Sequence, residues 1–169
     1  LAVYADKKIM EGYDGKLYPS AEITREEFVK IIIKGFFPDS EMTANSIFID
    51  IPNDSWCVGY VSAAVNLGLI RGISSDLFGQ GAALTRQDAV VILERVVQKL
   101  NVGMPAVKTV EFADKADIAD YARGAAEAFS KAGIVSGDDN SNFLPDKTIT
   151  RAEAAKMLCL TLREVENEI

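Results

Sequence analysis

Histidine is absent from the 169 residues. The commonest general base and the commonest metal ligand are therefore missing, and hydrolase triads built on Ser-His or Cys-His are excluded. Cysteine is scarce. Cys57 and Cys159 both fall in apolar helical stretches, where one reading is two small buried core residues and the other a disulfide. No apolar run approaches the roughly 20 residues that a membrane-crossing helix needs, and no signal peptide is recognisable. The chain opens at Leu1 in a stretch that already reads as helix, which suggests a fragment of a longer protein.

Positive charge is in the minority, with 18 basic against 25 acidic residues and a net charge of −7. That sign disfavours nucleic acid and membrane insertion or surface binding as partners, because the overall field repels polyanions. A local basic site can still form. Apolar residues make up 49% of the chain, enough for a sizeable core in about one domain's worth of length.

What the sequence does contain is one unit written three times. Ile23-Thr24-Arg25 returns as Leu84-Thr85-Arg86 and as Ile149-Thr150-Arg151, each followed within two positions by an acid: Glu27, Asp88 and Glu153. A glycine precedes each arginine by 13 or 14 positions (Gly12, Gly72, Gly137), and an aromatic follows each glycine by six (Tyr18, Phe78, Phe143). Two copies open on Phe48-Ile49-Asp50 and Phe112-Ala113-Asp114. Trp56 and Tyr121 lie 16 residues before their glycines; in copy one that position falls before Leu1. The copies span residues 1–37, 48–100 and 111–163, with linkers at 38–47 and 101–110.

Each unit reads as helix, loop, helix. Thr followed three residues later by Glu or Asp matches or approximates a capping box. The stripes Phe28, Ile31, Ile32; Ala89, Ile92, Leu93, Val96, Leu100; and Ala154, Met157, Leu158, Leu162 follow helical spacing and predict core. The first helix of each unit is expected to end near Gly12, Gly72 or Gly137, as at a C-cap. One helix pair cannot bury its own stripe, so the three copies should pack into one all-α body.

These motifs resemble the S-layer homology repeat. Copy three is closest, with Gly133-Ile134-Val135-Ser136-Gly137, Phe143-Leu144-Pro145 and Ile149-Thr150-Arg151-Ala152-Glu153. The resemblance covers nearly the whole chain and implies a pseudo-threefold helical body on a secreted surface protein of the bacterial cell wall. It implies binding of secondary cell-wall polysaccharide, typically through pyruvylated N-acetylmannosamine, in grooves between repeats. The motif arginines Arg25, Arg86 and Arg151 would contact the ketal carboxylate, and the backbone at Gly12, Gly72 and Gly137 would line the grooves. No cofactor or metal is implied. Copy two departs with Gln87-Asp88 and Phe78-Gly79-Gln80-Gly81, copy one with Glu26-Glu27, and copy three has Tyr121 where tryptophan is usual.

The residues argue alongside the family. A cation at a helix start is on the wrong end of the dipole, at a cost of roughly 0.3–1 kcal/mol. Three such placements are explained by an anion bound there, helped by free helix N–H groups and a guanidinium fork matched to carboxylate. The alternative is pairing with a local acid: Asp50, Asp114, Glu27 or Glu153. Trp56 and Tyr121 either stack on a sugar face or belong to the core. Asp50 and Asp114 either contact sugar hydroxyls or cap and pair locally. Asp138-x-Asn140-x-Asn142 begins like a calcium loop, but Phe143 and Ile149 stand where glycine and glutamate belong, which favours a polar turn. A competing class is a protein-interaction module with lateral self-assembly through the parent protein. An enzyme fits less well, because catalytic sites are singular and these features come in threes.

Overall fold

The structure, a computed structural model, describes residues 9–12 and 14–168. The opening helical stretch expected in copy one lies largely outside them. Among the described residues there are five helices and no strand: α1 (Arg25–Phe36), α2 (Val58–Asn66), α3 (Arg86–Lys99), α4 (Arg123–Lys131) and α5 (Arg151–Glu168).

The threonines set the helix starts of α1, α3 and α5. Thr24 and Glu27 form a full capping box, with Glu27 N–H donating to the Thr24 hydroxyl and Thr24 N–H to the Glu27 carboxylate. Thr150 and Glu153 do the same. In copy two Thr85 accepts from Asp88 N–H, and the shorter aspartate leaves the box half made. The predicted stripes are buried apart from Leu100, which is half-buried against the core.

The copies interleave. α1 packs against α2, the opening helix of the next copy, and α3 packs against α4 in the same way; α5 touches both α1 and α3. At the centre, Leu84 N–H donates to Ile23 O, Ile149 N–H to Leu84 O, and Ile23 N–H to Ile149 O, at 3.0–3.1 Å. This closed ring of backbone bonds, flanked by isolated bridges Glu22–Thr150, Thr24–Ala83 and Thr85–Thr148, gives the body its pseudo-threefold centre. All three ring side chains are fully buried.

Three expectations are corrected. The glycines that end the opening helices are Gly68 and Gly133, four residues before Gly72 and Gly137, both at φ +76°. The N–H groups of Leu69 and Ile134 reach back to Ala64 O and Phe129 O, a Schellman closure. Secondly, the register of copy one shifts by one residue. The residue eight before the arginine is Leu17, Phe78 or Phe143, and the next one (Tyr18, Gly79, Leu144) is left-handed in all three copies. Tyr18 is therefore the counterpart of Gly79, and copy one has no aromatic at the Phe78 position. Thirdly, Cys57 is buried but Cys159 only half-buried, and no disulfide joins them. Burial pushes the Cys57 thiol up.

Candidate functional site: three inter-repeat grooves

Each arginine at a helix start reaches across into the loop of the next copy. Arg25 donates from Nε to Phe78 O (3.1 Å) and from Nη2 to Arg71 O (3.2 Å). Arg151 donates from Nε to Leu17 O (3.0 Å) and from Nη2 to Glu11 O (2.7 Å). Arg86 donates from Nη2 to Ser136 O (2.6 Å). Glu11, Arg71 and Ser136 are the residues just before Gly12, Gly72 and Gly137, so the cyclic pattern runs from copy one to two, two to three, and three to one.

A cleft opens at each junction, and each holds one motif arginine and one motif glycine. The Arg25 groove encloses about 380 Å³ and includes Arg71, Gly72, Asp88, Arg95 and Tyr121. The Arg86 groove, about 230 Å³, includes Ser136, Gly137, Asp138, Lys147, Glu153 and Lys156. The Arg151 groove, about 610 Å³, includes Glu11, Gly12, Glu22, Glu27, Lys30 and Trp56. The first two are net positive inside a chain of net charge −7. Repeat arithmetic alone did not single out Arg71, Arg95, Lys147 or Lys156, because none recurs in all three copies.

The acids met by the arginines belong to the next copy's motif. Arg25 Nη1 lies 3.6 Å from Asp88 and Arg151 Nη1 lies 3.3 Å from Glu27. Asp50 and Asp114 are occupied elsewhere. The Asp50 carboxylate accepts the N–H groups of Phe78, Gly79 and Gln80 at 2.7–3.0 Å, and Asp114 accepts those of Phe143 and Leu144 at 2.7–2.8 Å. Both shape the loop that the arginine grips, instead of capping a following helix, and neither lines a groove.

The helix-start N–H groups are also taken. Those of Arg25, Arg86 and Arg151 donate to Ala82 O, Lys147 O and Ala21 O at 2.8–3.0 Å. These three helix-start donors are therefore not free for an anion, which corrects that part of the sequence argument and leaves the side-chain cations as the charge an anion would meet. Gly12 and Gly72 serve close packing within their own loops. A Cβ on Gly72 would meet Leu77 O and Ser74 O at 2.4 Å, and one on Gly12 would meet Lys16 O at 2.2 Å.

Trp56 and Tyr121 sit in turns just before α2 and α4, not within those helices. They are 54% and 59% exposed, which rules out the core reading. Lys30 Nζ lies 5.6 Å from the Trp56 ring centroid. The Tyr121 hydroxyl donates to Asp88 at 2.8 Å; burial first, then that carboxylate, push its pKa up to about 12. Asp138 accepts the N–H groups of Asn140 and Asn142, making the polar turn anticipated for that segment.

The loop clamp has a pH consequence. Burial raises the Asp50 carboxyl, but the three loop N–H bonds outweigh it and hold the group below its ordinary 3.8. A carboxyl depressed in the folded state adds stability above its unfolded pKa and loses it as pH falls through the folded value. Urea midpoints should therefore decline as pH drops below about 3.8. Asp50→Asn should be less stable at neutral pH, by roughly 1 kcal/mol, with a shallower acid decline. An unchanged acid profile in that variant would remove Asp50 from the account.

A cyclic three-copy helical body with a cation-bearing groove at each junction defines a binding module. The S-layer homology domain model matches residues 1–29, 48–90 and 111–155, and the chain belongs to that family. Its members are cell-wall anchoring modules of secreted bacterial surface proteins. The chain is 29% identical over 99% of its length to "Exoglucanase XynX" of Acetivibrio thermocellus. It is 26% identical over 95% to the "Surface-layer 125 kDa protein" of Lysinibacillus sphaericus, and 31% identical over 68% to "S-layer protein EA1" of Bacillus anthracis. It spans 15%, 14% and 13% of the length of these relatives.

Proposed function

We propose that this module holds its parent protein on the wall by binding secondary cell-wall polysaccharide through a pyruvate-ketal carboxylate on N-acetylmannosamine. The observation that carries the reading is the threefold recurrence of a guanidinium crossing into a cleft beside a motif glycine. A ketal carboxylate on a rigid sugar ring presents one fixed negative charge, which a guanidinium recognises by charge and shape together. Trp56 and Tyr121 offer half-exposed rings for the apolar face of the sugar in two of the grooves.

Co-sedimentation with purified walls tests this. The module is expected to pellet with intact walls and to stay in solution once the walls are stripped of secondary polymer. Retention on stripped walls would point to peptidoglycan or protein as the ligand. A second reading, lateral self-association in a surface array, draws on the relatives named as S-layer proteins. Sedimentation velocity without carbohydrate separates the two, because only self-association gives oligomers there.

A further inference from the structure

The three grooves are not equivalent, and the difference traces to one residue. Four positions before each motif arginine stand Ala21, Ala82 and Lys147. Their carbonyls do the same work, each accepting the N–H of the arginine from the preceding copy in the cycle. Only Lys147 adds a side-chain cation.

That cation changes the pairing of the neighbouring acid. In copy one, Glu27 uses one oxygen for the capping box and offers the other to Arg151 at 3.3 Å. Glu153 uses one oxygen for the same box, but its other oxygen holds Lys147 Nζ at 2.9 Å. Arg86, the arginine facing Glu153, has no carboxylate within ion-pair distance among the described residues. Arg25 and Arg151 each engage all three guanidinium nitrogens. Arg86 engages Nη2 alone; its Nε is buried without a partner, and its guanidinium carbon sits 5.2 Å above the Phe143 ring.

We infer that the Arg86 groove is the principal carboxylate seat of the module, and that Lys147 keeps it open by holding Glu153 away from Arg86. The inference rests on the glycan reading above. An uncompensated guanidinium in a partly desolvated cleft gains more from an incoming anion than one already paired internally. In the Arg25 and Arg151 grooves a ligand must first displace Asp88 or Glu27. In the Arg86 groove that competition is removed, and Lys156 on the same wall adds attraction. Lys147 is therefore a positioning residue that acts through Glu153.

Calorimetric titration of the intact chain with the methyl glycoside of pyruvylated N-acetylmannosamine tests both parts, with the unpyruvylated sugar as control. Arg86→Ala is expected to weaken binding by about 30-fold, more than either Arg25→Ala or Arg151→Ala. Lys147→Ala should weaken binding roughly five-fold, as Glu153 turns to Arg86. Adding Glu153→Gln should restore the parent affinity to within about two-fold, since glutamine keeps the capping box but not the charge. Rescue is the decisive readout, because a lysine that merely touched the sugar, or merely stabilised the loop, would not be rescued by it. Lys147→Ala at parent affinity, or a double variant as weak as the single, overturns the role of Lys147. A larger loss in Arg25→Ala or Arg151→Ala than in Arg86→Ala overturns the choice of groove and leaves the glycan reading standing. A parent chain that ignores the pyruvylated probe sinks both.

Discussion

Replacing Arg25, Arg86 and Arg151 together with glutamine is expected to release the module from cell walls. A charge-assisted hydrogen bond contributes about 1.5–3 kcal/mol, so a single working groove should lose about 30-fold in affinity at 2 kcal/mol. On a polymer that presents many ketals, several weak contacts act together, and losing all three should multiply the effect. The variant must remain folded for the result to count. Each arginine also ties two copies together through loop carbonyls such as Phe78 O and Leu17 O, so some loss of thermal stability is anticipated, and helix content by circular dichroism is the control.

A parallel Arg→Lys triple separates charge from shape. Lysine preserves the positive potential but cannot present a planar fork. If the fork matters, this variant should bind walls more weakly than the parent yet better than the glutamine triple, and its residual binding should fade faster with salt. Equal binding by the parent and the glutamine triple would mean that the grooves are structural joints and that the wall is recognised elsewhere.

The repeat and its helix starts were legible in the sequence because they depend on local rules. Thr24, Thr85 and Thr150 cap the helices they precede, and the apolar stripes point inward as their spacing requires. Repeat spacing also placed the three arginines at a common position. It did not reveal their partners, since the acids at Asp88 and Glu27 come from the following copy in the cycle, a relation that exists only after α1, α3 and α5 meet around the ring. The same assembly consumes the helix-start N–H groups that a single helix would have left free. Gly72 was misread as a helix end because the actual stop, Gly68, lies four residues upstream. The one-residue shortening of copy one hid the equivalence of Leu17 with Phe78. Lys147 stands where the other copies have Ala21 and Ala82, a difference that matching shared residues passes over, and its effect on Glu153 and Arg86 needed the geometry.

Leu84→Ala should produce the largest loss of stability, and the loss should be shared by all three copies. Leu84 is fully buried, and its backbone both donates to Ile23 and accepts from Ile149 in the central ring. Truncating a buried leucine costs about 2–5 kcal/mol through lost transfer energy and the residual cavity. That is a large share of the roughly 5–15 kcal/mol that stabilises a domain, and it corresponds to a drop in Tm of about 4–20 °C. In a linear repeat array each copy touches only its neighbours, so a lesson in one copy can unzip that end first. Here the ring joins every copy to both others, so no end exists from which to fray. Trp56, the single tryptophan, reports on the Arg151 groove, while far-ultraviolet circular dichroism reports on all the helices. The two transitions should coincide in the parent and in Leu84→Ala, shifted together with the same denaturant slope. Separate transitions, with the tryptophan signal surviving the loss of helix, would show that the copies fold as independent units and that the ring is a contact without cooperative weight.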